Sequence, residues 1–261
     1  SSTNSCPREL YVKAKGAKRD ESDRQPHQAR WQRIGTAIGD IIQRDVLLCE
    51  RHYRKIADKD APFRFLRTGD NRPAFEDFAK ASVPVRIPNA DGELVEFNLF
   101  GAPDGVMEYR RKDGEVIRVG LEIKSKQTTA ARTSDYSLRN AEDSHVKQCV
   151  AYSYMYACDY YIVLYVNASK KSWHMELEDY AKSPDIRAFC YYIDDADRFD
   201  LLTQLADIQT SINNDEPMPL DVDKWTFNNF KQACVDTLSD EEIADIEAYA
   251  DRSEEHTSEL Q

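Results

Sequence analysis

The sequence has no long apolar run and no closely spaced pair of cysteines. None of its apolar stretches approaches the roughly 20 residues of a membrane-spanning helix, so we expect no membrane contact. Its six cysteines include no Cys-x-x-Cys pair, and zinc and iron–sulfur sites usually contain one. Internal repeats and low-complexity linkers are absent as well. These features predict a reducing, cytoplasmic setting without a disulfide framework.

Basic side chains are outnumbered by acidic ones, and they are concentrated in the first part of the chain. The chain carries 35 Lys and Arg against 47 Asp and Glu, a net charge of −12. Residues 1–150 contain 27 basic and 23 acidic side chains, whereas residues 151–261 contain 8 and 24. Because attraction to phosphate acts within a Debye length of about 10 Å, an acidic protein can still bind nucleic acid through its first half.

The apolar periodicity predicts a core in the order helix, strands, helix, strand. Strands are expected at residues 83–87, 94–100, 105–111, 116–124 and 160–166. Helices are expected at residues 26–55, 74–81, 143–157, 176–182, 196–213, 225–237 and 240–250, while residues 1–25 read as irregular apart from an apolar turn near 10–12. Gly35 and Gly39 share one face of the first long helix, which predicts close approach of another backbone or of a ligand.

An Asp-Gly turn at Asp113 and Gly114 predicts a hairpin that brings two carboxylates and a lysine together. Asp104 begins its first strand, and Glu122 and Lys124 lie near the end of its second. Residues two apart on a strand point to the same face. Carboxylate oxygens bind Mg²⁺ or Mn²⁺, and a lysine can orient water or stabilise negative charge, as phosphodiester hydrolysis requires.

Taken alone, a Glu-x-Lys pair such as Glu122 and Lys124 is usually a solvated salt bridge, and a Pro-Asp dipeptide such as Pro103-Asp104 is common in proteins. A second Pro-Asp dipeptide, at Pro184 and Asp185, has no comparable hairpin behind it. The hairpin motif is more specific, because Leu121 and Ile123 flank Glu122 and unpaired charge on an apolar strand is costly. The conjunction therefore predicts either a metal site or a mutual charge network.

The helix that follows this strand, and the loop between the strand and the helix, contain further candidate site residues. Gln148 and Tyr152 lie on one helix face with His145. Gln148 favours a functional role, Tyr152 is equally well a core aromatic, and His145 is more often a polar residue at a helix start. In the loop of residues 125–140, the basic side chains are expected either to contact DNA phosphates or to be solvated; they are Lys126, Arg132 and Arg139.

These motifs resemble the PD-(D/E)xK nuclease superfamily, in its RecB and lambda-exonuclease branch, and especially phage-encoded members. The resemblance covers residues 5–168 and includes the Gln-x-x-x-Tyr element that ends at Tyr152. It implies an α/β, restriction-endonuclease-like core: a helix, a mixed central sheet with a hairpin, a helix and a strand. Catalytic roles are implied for Asp104, Glu122, Lys124, Gln148 and Tyr152, and Mg²⁺ or Mn²⁺ binding for Asp104, Glu122 and the Ile123 carbonyl.

The chain departs from this family at Gly39, where a metal-binding histidine is common. Asp40 or Gln43 is expected to substitute, or water fills the gap. Some relatives carry an iron–sulfur cluster on one early and three late cysteines. Cys6 fits the early position, but the later cysteines are too dispersed for the trio, so we expect no cluster; they are Cys158, Cys190 and Cys234.

The resemblance also implies an organisation and a setting for the chain. We expect residues 1–168 to form the nuclease core with an N-terminal helical segment, and residues 169–251 an acidic, mainly helical extension of the same domain. Independently of the family, the sequence of residues 252–261 resembles a translated sequencing adapter, so these residues are left out of the fold. The expected function is metal-dependent DNA cleavage, more specifically exonuclease action in phage recombination, replication or repair, in the host cytoplasm. A phage recombinase or single-strand-binding protein is the expected partner besides DNA.

Two other functions remain open at this stage. One is a catalytically silent DNA-binding or recombination-partner protein that keeps the fold, which Gly39 favours weakly. The other is a cluster-containing relative of the CRISPR type, which the spacing of the cysteines disfavours.

Overall fold

The computed structural model describes residues 2–21 and 25–248. The adapter-like residues 252–261, and the last residues of the helix expected at 240–250, lie outside these ranges. Among the described residues, one compact unit spans 25–206, and a second combines 4–21 with 207–248. None of the helices in the described ranges has the length and apolar character that crossing a membrane demands.

The helices and strands have well-defined bounds. The α-helices are α1 (Pro7–Ala14), α2 (Pro26–Ala57), α3 (Asp143–Tyr156), α4 (Leu177–Lys182), α5 (Asp195–Asn214) and α6 (Lys231–Val235), and residues 240–248 are also helical. The strands are β1 (Phe63–Phe65), β2 (Ala81–Pro88), β3 (Leu94–Gly101), β4 (Gly105–Arg110), β5 (Val116–Lys126), β6 (Tyr160–Asn167) and β7 (Ile186–Tyr192). Short 3₁₀ helices cover Ser2–Asn4, Glu76–Phe78, Ala130–Thr133 and Val222–Phe227.

A mixed five-stranded sheet lies at the centre of the first unit, in the order β1-β4-β5-β6-β7. β5 and β6 run parallel, while the other neighbours are antiparallel. The expected α/β class with a mixed central sheet, a hairpin and flanking helices is therefore confirmed. β2 and β3 form a separate antiparallel pair, which packs against α5 through a small apolar cluster around Val85 and Leu202.

The two faces of the sheet contact different helices, because side chains alternate along a strand. On one face, Val119 and Leu121 of β5 pack with Val46 and Leu47 of α2. On the other, α3 contributes Cys149 to a cluster with the buried side chains of β6. The β5 residues between the apolar ones, Glu122 among them, therefore point toward α3.

Local chemistry explains the hairpin that joins β4 and β5. Gly114 has φ 92°, a left-handed conformation that glycine adopts without strain. The Asp113 carboxylate accepts a hydrogen bond from the backbone N–H of Glu115 at 3.0 Å. On β5, the ring of Tyr161 occupies the space where a side chain at Gly120 would lie. A glycine is therefore required there for β6 to pack.

The structure corrects several sequence expectations outside the core. Residues 7–14 form α1, although this segment was expected to be irregular. The helix expected at 74–81 is only the 3₁₀ turn Glu76–Phe78, and the one expected at 225–237 is divided between Val222–Phe227 and α6. β7 lies in a region that was expected to be mainly helical. Apart from Arg187, its residues are apolar or aromatic on both faces, so no alternation of apolar and polar residues marks it as a strand.

The second unit has its own small core. Tyr11 and Val12 of α1 pack with Cys234 of α6. The Arg8 side chain is 1% exposed; it donates to the Thr237 carbonyl at 2.7 Å and forms an ion pair with Glu242. Because burying an unpaired guanidinium is costly, these contacts are needed to hold α1 in this unit.

Candidate functional site

The pairing of β4 with β5 places Asp104 beside Glu122. Gly105 pairs with Leu121, so the residue before Gly105 lies level with Glu122. The Asp104 Oδ2 atom accepts a hydrogen bond from the backbone N–H of Ile123 at 2.6 Å. The structure thus brings together the residues that the hairpin pattern predicted to converge. The Ile123 carbonyl, a predicted metal ligand, belongs to the peptide unit that follows this N–H.

Glu122 is a buried carboxylate with one unsatisfied oxygen. The residue is 2% exposed, and its Oε1 lies 2.6 Å from the Lys124 Nζ. Its Oε2 is buried and has no hydrogen-bond partner among the described residues. Burial, followed by the negative charge of Asp104, raises the pKa of Glu122 to about 7. An orphaned carboxylate oxygen in a buried site calls for a cation or a proton.

The ionised form of Asp104 is disfavoured in the same way. Burial is the largest influence and raises its pKa above the usual value. The Ile123 N–H and the Lys124 ammonium lower it, and the negative charge of Glu76 raises it again. Since the net direction is upward, the ionised form of Asp104 also lacks enough positive charge around it.

Helix α3 positions both the lysine and the turn that carries Asp104. Gln148 Oε1 accepts from the Lys124 Nζ at 3.2 Å. Tyr152 packs directly on the backbone at Gly101, where an added Cβ would meet its ring at 2.6 Å. Burial raises the pKa of Tyr152, while hydrogen bonds to Gln148 and to the Ala102 backbone oppose that rise. Both residues of the predicted Gln-x-x-x-Tyr element therefore lie at the site.

Helix α2 approaches the site through Gln43. The Gln43 Nε2 donates to the Asp104 carbonyl at 2.9 Å and to Glu76 Oε1 at 3.3 Å. Asp40 and Gln43 were the two residues considered as substitutes for histidine. Gln43 donates a hydrogen bond to the backbone of Asp104. Asp40 lies nearly one turn earlier and is half-buried. An added Cβ at Gly39 would meet nothing within 4 Å, whereas one at Gly35 would lie 3.4 Å from Ser125 Oγ.

Glu76 is a site residue that the sequence did not indicate. Its backbone N–H donates to the Pro103 carbonyl at 2.6 Å, so the residue is held next to Asp104. The surrounding sequence matches no catalytic motif, and the segment was expected to be an ordinary short helix. Its proximity depends on a 3₁₀ turn that local propensity did not predict.

Two polar residues near the site have partners that limit their roles. His145 Nδ1 lies 2.8 Å from the Tyr165 hydroxyl, and burial, followed by the charge of Lys124, lowers its pKa to about 4. His145 is therefore uncharged at neutral pH. Lys126 forms an ion pair with Glu142, which neutralises much of the charge that a DNA phosphate would meet.

The other basic loop residues are exposed. Arg132 lines a cavity of about 330 Å³ together with Lys126 and Glu142. The Arg139 guanidinium stacks on the ring of Tyr136, 5.7 Å from its centroid. Both guanidinium groups are exposed and therefore accessible to a polyanion.

The donor set suits a hard divalent cation. Asp104 and Glu122 supply carboxylate oxygens, the ligands that Mg²⁺ and Mn²⁺ prefer, and Glu122 Oε2 has no hydrogen-bond partner among the described residues. Within residues 2–21 and 25–248, no three His, Cys, Asp or Glu side chains already converge as a ready-made metal site. A cation here would need further oxygens from the backbone, from water or from a side chain that moves.

Comparisons with known proteins add little to this geometry. No protein-family model matches the sequence, and no curated protein matches it. The crystal structure of SSO0001 resembles the chain with a TM-score of 0.39 and 14% sequence identity, over 91% of this chain and 85% of that one. A likeness of this degree carries no conclusion about function.

Proposed function

We propose that the chain is a Mg²⁺- or Mn²⁺-dependent deoxyribonuclease with a restriction-endonuclease-like core of the PD-(D/E)xK type. The observation that carries this proposal is the buried, unpartnered Oε2 of Glu122, beside a second buried carboxylate and a lysine. Most buried side-chain oxygens that serve only a structural role have a hydrogen-bond partner. A cation site gives the unpaired oxygen a role.

Each residue has a role that follows from its contacts. Asp104 and Glu122, with the Ile123 carbonyl, would hold the cation, which lowers the pKa of bound water and offsets negative charge on the phosphate. Lys124 lies between Glu122 and Gln148, where its ammonium can orient a water molecule or stabilise an oxyanion. Gln148 fixes that ammonium, and Tyr152 fixes the turn that carries Asp104. Asp40 remains a candidate for an outer contact through water.

Binding of DNA is proposed for the exposed edge next to this site. Arg132 and Arg139 offer accessible guanidinium groups, whereas Lys126 must first leave Glu142. We therefore expect the two arginines to contribute more phosphate contacts than Lys126 does. The exonuclease mode, the phage setting and a recombinase or single-strand-binding partner rest on the family resemblance alone.

A nuclease assay tests the proposal. Purified protein is incubated with end-labelled linear DNA and with closed circular DNA, in Mg²⁺, Mn²⁺ or EDTA. We expect cleavage that requires metal and is lost in Asp104→Ala; digestion of linear DNA alone would indicate an exonuclease. No metal-dependent cleavage of either substrate, together with retained DNA binding, would instead support the catalytically silent function, which the missing side chain at Gly39 favours.

A further inference from the structure

Glu76 is held against the Pro103–Asp104 peptide by an unusual backbone conformation. Its φ is 46°, a left-handed value that residues other than glycine seldom adopt. Its N–H donates to the Pro103 carbonyl at 2.6 Å. A conformation of this kind costs free energy and persists where surrounding contacts enforce it. The backbone thus fixes Glu76 next to one of the two site carboxylates.

The side chain of Glu76 shares a hydrogen-bond donor with Asp104. Gln43 Nε2 donates to Glu76 Oε1 at 3.3 Å and to the Asp104 carbonyl at 2.9 Å. One amide group of α2 therefore bridges the two acidic residues. The contact to Glu76 is the longer of the two, beyond the usual range of about 2.7–3.2 Å for a hydrogen bond of this kind.

The site still lacks oxygen ligands. Glu122 Oε2 is buried without a partner among the described residues, and Glu122 lies level with Asp104, just before the neighbouring strand. At Gly39, helix α2 has no side chain to contribute. Divalent cations of this class take about six oxygen ligands, so further ligands are needed. The Glu76 carboxylate is a nearby source, because it shares the Gln43 donor with the backbone carbonyl of Asp104.

We propose that Glu76 moves to become the third carboxylate of the cation site formed by Asp104 and Glu122 when a cation binds, and that Gln43 holds it nearby until then. This inference rests on the proposed function, because it assumes that a divalent cation binds to Asp104 and Glu122. Under this proposal, the third ligand comes from the turn that precedes β2. It replaces the metal-binding side chain that helix α2 lacks at Gly39. The alternative is that Glu76 serves only to orient Gln43.

A metal titration without DNA tests the inference. Mn²⁺ is titrated into the metal-free full chain by calorimetry, for the wild type, Glu76→Gln, Asp77→Asn and Asp104→Asn. Asp77 is the matched control, since it is the neighbouring acidic residue and is exposed. Loss of an outer-shell partner commonly lowers metal affinity by about 10- to 100-fold, and loss of a direct ligand should cost at least as much. We expect a loss of that size in Glu76→Gln, and less than about a twofold change in Asp77→Asn.

The outcomes separate the inference from the function on which it rests. If Glu76→Gln binds Mn²⁺ as Asp77→Asn does while Asp104→Asn does not bind, Glu76 only orients Gln43 and the inference is overturned. If Asp104→Asn also binds normally, the proposed site itself is wrong. Glu76→Asp guards against misfolding of the glutamine variant, because aspartate tolerates this backbone conformation. It keeps the carboxylate on a shorter side chain, so its affinity should be below that of the wild type; undiminished affinity would argue against a ligand role.

Discussion

Replacing Asp104 by asparagine is expected to stabilise the metal-free protein at neutral pH while removing its response to metal. The pKa of Glu122 is raised to about 7, first by burial and then by Asp104, and burial raises the pKa of Asp104 as well. Both carboxyl groups therefore hold protons more tightly in the folded chain than in the unfolded chain. Between pH 4.5 and 7 the folded state binds more protons, so these groups make stability fall as pH rises.

The size of the effect follows from the same pKa. Ionising Glu122 in the folded protein costs roughly 3 kcal/mol more than ionising it in the unfolded chain. Asparagine removes the second-largest cause of that cost and also removes the buried charge at residue 104. It keeps an oxygen that can accept from the Ile123 N–H. We expect Asp104→Asn to gain about 1–2 kcal/mol in the free energy of unfolding at pH 8.

Urea unfolding in EDTA, measured from pH 4.5 to 8, is the assay. The stability difference between Asp104→Asn and the wild type should grow as pH rises to about 7 and level off above it. Other titrating groups, such as His145, contribute equally to both proteins and cancel in the difference. Saturating Mg²⁺ should then stabilise the wild type but not the variant. A difference that stays flat, or that favours the wild type at pH 8, would refute the electrostatic reasoning.

Further substitutions test individual contacts. Gly120→Ala should lower the free energy of unfolding by about 1–3 kcal/mol, because its Cβ would collide with the Tyr161 ring; Gly39→Ala, with open space around it, should raise it by up to about 1 kcal/mol through helix propensity. Urea midpoints of the two variants that shift in the same direction would contradict this. Tyr161→Phe should be neutral or stabilising in the same assay, since the Tyr161 hydroxyl is buried without a partner among the described residues; a loss above about 1 kcal/mol would reveal a missed contact. Gln148→Leu should lower the cleavage rate about tenfold or more while metal affinity changes little, because Gln148 contacts Lys124 and not the carboxylates; an equal loss of metal affinity would argue against this.

The hairpin at the centre of the site was predictable because its signals are local. Asp113 and Gly114 define the turn, and counting outward from it puts Asp104 level with Glu122. The side-chain period of 2 on a strand then puts Lys124 on the same face as Glu122, and the period of 3.6 on a helix puts Gln148 on one face with Tyr152. Each of these steps uses only short-range geometry, and each agrees with the observed contacts.

Other features depended on long-range packing and were missed. Glu76 reaches the site because its 3₁₀ turn bonds to Pro103, a contact that no local pattern encodes. β7 is an edge strand whose apolar residues show no alternation. The role of α2 was only partly visible: the paired glycines indicated a close approach, which occurs at Gly35 and not at Gly39.

The most direct test of the central claim compares two Pro-Asp dipeptides of the same chain. Single-turnover cleavage of end-labelled linear DNA in Mg²⁺ is measured for the wild type, Asp104→Asn and Asp185→Asn. Asp185 also follows a proline, but its carboxylate pairs with Lys171 at 2.6 Å. We predict that Asp104→Asn loses cleavage by at least about 10³-fold, while Asp185→Asn cleaves at nearly the wild-type rate. Equal rates for Asp104→Asn and the wild type would contradict the assignment of a catalytic metal site to Asp104, Glu122 and Lys124.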